Sequence, residues 1–214
     1  MNKFQFKNCI ELKELLGVKA DDCSKLLELI EEVPADSIYY HTHSYFLRHY
    51  YIAGPYTNDF ANWAAIQLRD RILGEKLAVI TPWEGKTIED IRTELIDTID
   101  DYLYSIKSNP FVMAGQSFYF MKSEIIEVNT DIEVGSLLEF RDALKIVDAS
   151  AIYNHIFEAR MRIKNDKSDF SSWLERELQK QELANRIERL DSYMYSLEGL
   201  REELINLCNQ ELGE

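Results

Sequence analysis

The spacing of apolar residues predicts that each half of the chain begins with an extended segment. Phe4 and Phe6 lie two positions apart, as do Phe118 and Phe120, and β-branched residues follow at 125–128. Apolar residues that recur at every second position are typical of a strand that buries one face. We therefore predict a short extended segment at the start of each half.

Apolar residues spaced three and four apart predict helices in the remainder of each half. The segment 87–106 shows the pattern clearly, with Ile88, Ile91 and Leu95 on one face behind a threonine at the N-cap position. Asp59 and Asp169 are predicted N-caps of two further helices. The predicted helices span 24–33, 36–51, 59–71, 73–80 and 87–106 in the first half, and 137–147, 149–163, 169–180, 182–190 and 196–210 in the second.

The two halves also match in sequence. Ile38-Tyr39-Tyr40-His41 matches Ile152-Tyr153-Asn154-His155, 114 positions later. Asp59-Phe60-Ala61-Asn62-Trp63 matches Asp169-Phe170-Ser171-Ser172-Trp173, 110 positions later. Because the matches run in order with small gaps, they predict a tandem duplication.

The predicted repeats are 1–106 and 118–214, joined by a linker at 107–117 in which Pro110 disfavours helix. We expect a mostly α fold with minor β structure. It would consist of two pseudo-two-fold-related helical lobes of about five helices each, with a short extended segment at each start. One compact two-lobed domain is the alternative to two separate domains.

Composition excludes several functions. The net charge is −14, from 38 acidic and 24 basic residues, which disfavours binding to nucleic acid and to anionic membranes. Three scattered cysteines argue against a disulfide framework. The sequence shows no signal peptide and no membrane span, so a cytoplasmic location is expected. Dinucleotide, P-loop and nucleophile-elbow motifs are also missing from the sequence.

His41 and His155 are the main candidates for chemistry, since both copies carry them on the apolar face of a predicted helix. A titratable group there needs a polar partner, and Asp59 and Asp169 are the matching carboxylates. In the structural interpretation, each His hydrogen-bonds within its own lobe and each Asp caps its helix. In the alternative, these four residues face one pocket and bind a divalent transition metal such as zinc, iron or manganese.

Aromatic and basic residues shared by the copies complete the predicted site. The two tryptophans are core residues by default, and an exposed one could instead stack on a sugar. Arg48 and Arg162 align and could bind an anion together, or could pair with nearby acids. The predicted ligand-binding set is His41, His155, Tyr39, Tyr153, Trp63, Trp173, Arg48 and Arg162.

As a set, five motifs resemble those of a bacterial and archaeal family of unassigned function and of roughly this length. They are Val33-Pro-Ala-Asp-Ser-Ile-Tyr-Tyr-His-Thr-His43, Asn58-Asp-Phe-Ala-Asn-Trp63, Phe157-Glu-Ala-Arg-Met-Arg162, Ser168-Asp-Phe-Ser-Ser-Trp173 and Ser196-Leu-Glu-Gly-Leu-Arg201. The resemblance covers essentially the whole chain and implies no activity.

Two functions follow as hypotheses. Duplication without a catalytic signature favours a non-enzymatic module that binds a small molecule or a protein in a groove between the lobes, without a cofactor. The repeated His and Asp residues suggest, as the alternative, a metal-dependent enzyme, possibly a hydrolase. A homo-oligomer is possible in either case.

Overall fold

A computed structural model describes residues 2–49, 56–81, 86–160 and 167–214. The protein is mostly helical, with one two-stranded sheet formed by β1 (Phe4–Ala20) and β2 (Phe118–Val134). This confirms the predicted mostly α fold with minor β structure. Among the described helices, none is long and apolar enough to cross a membrane.

Helices follow each strand in the same order. After β1 come α1 (Cys23–Glu32), α2 (Ala35–Thr42), α3 (Tyr45–Arg48), α4 (Asp59–Ile66), α5 (Arg71–Ala78) and α6 (Ile88–Ile106). After β2 come α7 (Leu137–Leu144), α8 (Ala149–Tyr153), a π-helical turn (Asn154–Glu158), α9 (Asp169–Arg176), α10 (Gln181–Glu188), a 3₁₀ turn (Ser192–Met194) and α11 (Leu197–Leu212).

Both strands are longer than the short segments predicted. Each has 17 residues, and the ion pairs Lys3–Glu133 (3.8 Å) and Lys122–Glu14 (3.0 Å) show that the strands run antiparallel. The middle of each strand is exposed, and in β1 it carries the exposed apolar residues Ile10, Leu12 and Leu15. Because an exposed stretch has no buried face, its residues need not alternate strictly between apolar and polar, and the sequence pattern reveals mainly the buried beginnings of the strands and residues 125–128 of β2.

The helix predicted over 36–51 is interrupted in the structure. Thr42 Oγ1 donates a hydrogen bond to the Ile38 carbonyl (2.7 Å), and Ser44 Oγ donates to the Tyr40 carbonyl (3.0 Å). Side chains that bond to helix carbonyls in this way bend helices. The matching helix in the second half widens into the π-helical turn, and the ends predicted for both helices, 50–51 and 161–163, lie outside the described residues.

The chain forms two compact units that divide both strands. Of the described residues, the N-terminal unit contains 11–48, 56–81 and 86–124. The C-terminal unit contains 2–10, 49, 125–160 and 167–214. The start of β2 therefore belongs with α1–α6, and the start of β1 belongs with α7–α11. The repeat boundaries remain a prediction about the sequence, because each unit takes strand residues from both predicted repeats.

Aromatic residues at the start of β2 fill the core of the N-terminal unit. Phe118 stacks on Phe60 of α4, with 5.0 Å between ring centroids and an angle of 18° between the planes. Phe120 and Phe60 have no exposed surface. Burying one such ring contributes about 1.5–3 kcal/mol.

The start of β1 has the same role in the C-terminal unit. Phe6 stacks on Phe140 of α7, with 5.7 Å between ring centroids, and Phe4 packs against Phe170 of α9 at 5.5 Å. All four rings are buried. The predicted extended segments are therefore confirmed at the phenylalanines that identified them.

Close packing of α4 on α5 requires a glycine at position 74. A Cβ atom added to Gly74 would lie 2.6 Å from the Cβ atom of Ala65. We expect Gly74→Ala to lower the free energy of unfolding by about 2 kcal/mol in urea denaturation, because the two helices must separate. The reverse change at the matching position, Ala184→Gly, should cost about 1–2 kcal/mol, through helix propensity and the loss of a buried methyl group. A Gly74→Ala protein as stable as the wild type would contradict the close approach.

Candidate functional site

His41 uses both nitrogens of its buried ring within the N-terminal unit. Its Nδ1 atom lies 2.9 Å from Asp59 Oδ2, and its Nε2 atom accepts a hydrogen bond from the backbone N–H of Met121 at 3.1 Å. Since Nε2 accepts, the proton of the neutral ring lies on Nδ1 and is donated to the carboxylate. His41 therefore connects three elements, α2, α4 and β2.

Burial keeps the His41 ring neutral. Desolvation lowers the pKa of His41 below its usual value, and this effect outweighs the hydrogen bond that the ring donates to Asp59, which acts in the opposite direction. A protonated ring would place an N–H group opposite the N–H of Met121 and break that contact. The connection between α2 and β2 thus depends on the neutral imidazole.

His155 makes the equivalent contacts in the C-terminal unit. Its Nδ1 atom lies 2.9 Å from Asp169 Oδ2, and its Nε2 atom accepts from the backbone N–H of Lys7 at 2.8 Å. Lys7 and Met121 are 114 positions apart, like the two histidines. Each His–Asp pair therefore holds the start of one strand against the helices of its unit.

The regular alternation of buried residues along each strand ends at the residue whose backbone N–H bonds to a histidine, Lys7 in β1 and Met121 in β2. In β1 the next buried residue after Phe6 is Cys9, three positions later, and β2 shows the same break around Met121. At this break, the backbone N–H groups of the two strands bond to histidine rings. Each histidine supplies an acceptor for one of these groups. Sequence reasoning missed this partner because a backbone N–H has no sequence signature.

Within each unit, these contacts agree with the structural interpretation, in which each histidine forms hydrogen bonds inside its own part of the protein. Among the described residues, no group of three or more His, Cys, Asp or Glu side chains comes together as a metal site. Within its unit, each imidazole has both nitrogens engaged. The metal set of His41, His155, Asp59 and Asp169 stays a prediction, and the geometry described here does not favour it.

The predicted N-cap role of the two aspartates is wrong by one residue. Asn58 caps α4, with its side chain accepting from the Ala61 N–H at 2.8 Å, and Ser168 caps α9 in the same way. Asp59 and Asp169 are the first residues of their helices. Because the cap is supplied by the preceding residue, the carboxylate of each aspartate can bond to the histidine instead.

Arg48 also bonds to the carboxylate of Asp59. Its Nη2 atom donates to Asp59 Oδ2 at 2.6 Å, and its guanidinium lies 3.9 Å from the centroid of the Tyr40 ring. Glu11 approaches from β1, with its Oε1 atom 3.6 Å from Nη1 of Arg48. Arg48 is thus paired with local acids, which sequence analysis had kept as an alternative to anion binding. Arg162 lies outside the described residues.

Tyr39 and Tyr153 occupy matching stacked pairs. Tyr39 stacks on His43 at 5.2 Å, and Tyr153 stacks on Phe157 at 5.4 Å, both with an angle of 15° between the ring planes. Tyr153 is completely buried and His43 nearly so. Burial lowers the pKa of His43 to about 3. Tyr153, His43 and Phe157 therefore lie in the interiors of their units, whereas Tyr39 is partly exposed.

Both matched tryptophans are buried. Trp63 donates its indole N–H to the Gln116 carbonyl at 2.8 Å, and Trp173 donates to the Asn2 carbonyl at 2.9 Å. Trp63 is 5% exposed and Trp173 is 7% exposed. A sugar-stacking platform needs an exposed ring face, so the geometry favours a core role for both.

An open cleft of about 530 Å³ lies in the N-terminal unit, between α2–α4 and the start of β2. Its polar and aromatic lining includes Arg48, Asp59, Asn62, Gln67, Gln116 and Tyr119. His41 and Trp63 also contribute atoms to its wall. The cleft thus brings together His41, Trp63, Arg48 and Asp59 from the predicted site, and adds residues that the sequence analysis did not select.

Gln67 and Gln116 distinguish this cleft from the matching region of the C-terminal unit. Their counterparts are Glu177, 110 positions after Gln67, and Asn2, 114 positions before Gln116. Glu177 accepts hydrogen bonds from the backbone N–H and the side-chain amide of Asn2, at 2.6 and 3.1 Å. In the part of the chain that the structure describes, the Gln116 Oε1 atom is buried without a hydrogen-bond partner. The sequence offsets of 110 and 114 positions could have identified this difference.

The fold and the site define a mostly helical protein in which buried His–Asp pairs hold two long strands against helices. The chain belongs to a family of unknown function (DUF5752), whose sequence profile matches residues 1–209. The resemblance to a family without an assigned function is thereby confirmed.

A solved structure shares the fold. OrfY from Thermoproteus tenax is 25% identical in sequence to this chain, with a TM-score of 0.78 over 100% of this chain and 97% of OrfY. No curated protein matches the chain in sequence.

Proposed function

We propose that this protein is a non-enzymatic binding protein, built by tandem duplication, and that the cleft of the N-terminal unit holds a small ligand. The observation that carries the proposal is the open cleft beside Gln67 and Gln116, at positions where the other copy bonds Glu177 to Asn2. A cleft with several convergent polar groups is the usual form of a small-molecule site.

The matched contacts support the duplication. The His–Asp pair, its backbone N–H partner and the tryptophan-to-carbonyl hydrogen bond all recur at the offsets found in the sequence. Two non-glycine residues with positive φ, Arg69 and Gln179, also recur 110 positions apart. Recurrence of an uncommon backbone conformation at matching positions is expected if the copies share an origin.

Hydrogen bonds that side chains of the cleft already make within the protein support ligand binding over catalysis. A general base needs an available lone pair within reach of substrate, and both nitrogens of His41 are already used. Ser117 donates its hydroxyl to Asp21, so that oxygen is also engaged. The other polar and aromatic side chains of the cleft, such as Gln67, Gln116 and Tyr119, are suited to recognising a ligand.

The proposal is tested by ligand-detected NMR of the purified full chain against a library of small polar fragments. We expect the wild type to bind a subset of fragments and Ile66→Trp to lose them, because Ile66 lies exposed at the rim of the cleft. The matched control is Ile72→Trp, at an exposed position of α5 that does not line the cleft. Absence of fragment binding to the wild type, or equal binding to Ile66→Trp, would contradict the proposal.

A further inference from the structure

We infer that the cleft of the N-terminal unit recognises an uncharged ligand with a carboxamide or lactam edge, which pairs with the side-chain amides of Gln67 and Gln116. This inference rests on the proposed function and specifies the chemistry of its ligand. Three features of the cleft carry it: the balance of charge, the two amides and an exposed aromatic ring.

Charge around the cleft is balanced within the protein. Arg48 pairs with Asp59 at 2.6 Å, and Glu11 lies between Arg48 and Lys13, which approaches its Oε2 atom at 3.2 Å. Of these four side chains, Arg48 and Asp59 line the cleft, and the four charges cancel. An anionic ligand would compete with two carboxylates for Arg48, and a cationic ligand would compete with Arg48 for Asp59. The balance favours a ligand without charge.

The amides need a ligand that both donates and accepts. A buried acceptor without a partner, such as Oε1 of Gln116, costs free energy, and a turn of the Gln116 side chain toward the cleft would let a ligand donor satisfy it. A carboxamide presents its donor and acceptor side by side, so a ligand amide can form two hydrogen bonds with it at once. Such an edge fits either orientation of the Gln116 amide, because it offers both groups.

Tyr119 provides a surface for a flat ligand. It lies in β2 beside Gln116, lines the cleft and is 50% exposed. Aromatic rings stack with planar groups in offset arrangements. Since amide and lactam edges are commonly carried by planar rings, the tyrosine and the amides can contact one ligand together.

The C-terminal unit shows why the site is confined to one copy. There the carboxylate of Glu177 occupies the position of the Gln67 amide and bonds to Asn2. The hydrogen bond from the Asn2 backbone N–H lowers the pKa of Glu177, which keeps the carboxylate charged and its contact with Asn2 in place. An internal side-chain contact thus satisfies the groups that a ligand would satisfy in the N-terminal unit.

The experiment compares three probes of nearly equal shape on the full chain: nicotinamide, nicotinate and 3-(hydroxymethyl)pyridine. Binding is measured by ligand-detected NMR titration near neutral pH. We expect nicotinamide to bind at least about tenfold more tightly than either of the other two, as two neutral hydrogen bonds allow. Gln67→Glu should weaken nicotinamide binding about tenfold, whereas Glu177→Gln, the reverse change in the other copy, should leave it unchanged.

Each contrary result has a distinct meaning. Equal or tighter binding of nicotinate or of the alcohol overturns the amide chemistry, as does a lack of nicotinamide binding up to about 10 mM. If Ile66→Trp abolishes binding but Gln67→Glu does not weaken it, the inference fails and the cleft remains the binding site. If Ile66→Trp leaves nicotinamide binding unchanged, the probe binds elsewhere and the proposed function fails with the inference.

Discussion

Replacement of Asp59 by alanine is expected to lower the free energy of unfolding by about 3 kcal/mol. The carboxylate accepts hydrogen bonds from His41 and from Arg48, whose side chains are only 5% and 14% exposed. Without it, the buried guanidinium loses its nearest counter-charge, and the imidazole N–H loses its acceptor. Removing one partner of a buried charge pair is costly because the other charge stays desolvated. Chemical denaturation of the purified variant measures the change.

Asp59→Asn is the matched control for this prediction. An amide oxygen of the same size can still accept from His41, whereas the ion pair with Arg48 is lost, so we expect an intermediate loss of about 1–2 kcal/mol. Asp169→Ala tests the equivalent pair in the C-terminal unit, where the carboxylate bonds to His155 at 2.9 Å. An Asp59→Ala protein within about 0.5 kcal/mol of the wild type would show that the carboxylate does not hold the helices and the strand together.

The His–Asp pairs show how far sequence reasoning reaches into a site. The apolar face and the matched offsets identify both histidines and both carboxylates, because side chains that must be satisfied in a core leave a pattern. The partners of the Nε2 atoms, the N–H groups of Lys7 and Met121, were not predicted. Any residue except proline carries such a group, so only the path of the backbone reveals it.

The strands illustrate a second limit. Their buried beginnings were predicted from Phe4, Phe6, Phe118 and Phe120, and residues 125–128 of β2 from their β-branched character, whereas the rest of the exposed continuations was not predicted. The division of each strand between two units was also missed. Local periodicity states which face of a segment is buried, but it carries no information about which distant helices cover that face.

The cleft was missed for a different reason. The residues that match between the two halves of the sequence belong to the common framework of the units. Gln67 and Gln116 differ from their counterparts Glu177 and Asn2. If the chain arose by duplication, as proposed, the framework must be retained in both copies, whereas a ligand site is needed in one. On that proposal, differences between the two sequence matches are a better guide to the binding site than identities.

The second large effect is expected at low pH. Burial lowers the pKa of His43 to about 3, whereas an unfolded histidine has a pKa of about 6.5. As pH falls below about 6.5, the unfolded state binds the proton before the folded state does, so folding stability is lost progressively down to about pH 3. Each pH unit in this window costs about 1.4 kcal/mol. Between pH 6.5 and 4.5, this residue alone should therefore cost about 2–3 kcal/mol.

His43→Phe should remove this loss, because Phe157 occupies the matching position and stacks on Tyr153 as His43 stacks on Tyr39. We expect the variant to be within about 1 kcal/mol of the wild type at pH 7.5, and more stable by about 2 kcal/mol at pH 4.5. Urea denaturation across this pH range measures the difference. The reciprocal variant, Phe157→His, should gain acid sensitivity, since its ring would be buried in the same kind of stack. Parallel pH profiles for the wild type and His43→Phe would mean that His43 is hydrated and titrates normally in the folded protein, and that acid sensitivity arises from other groups.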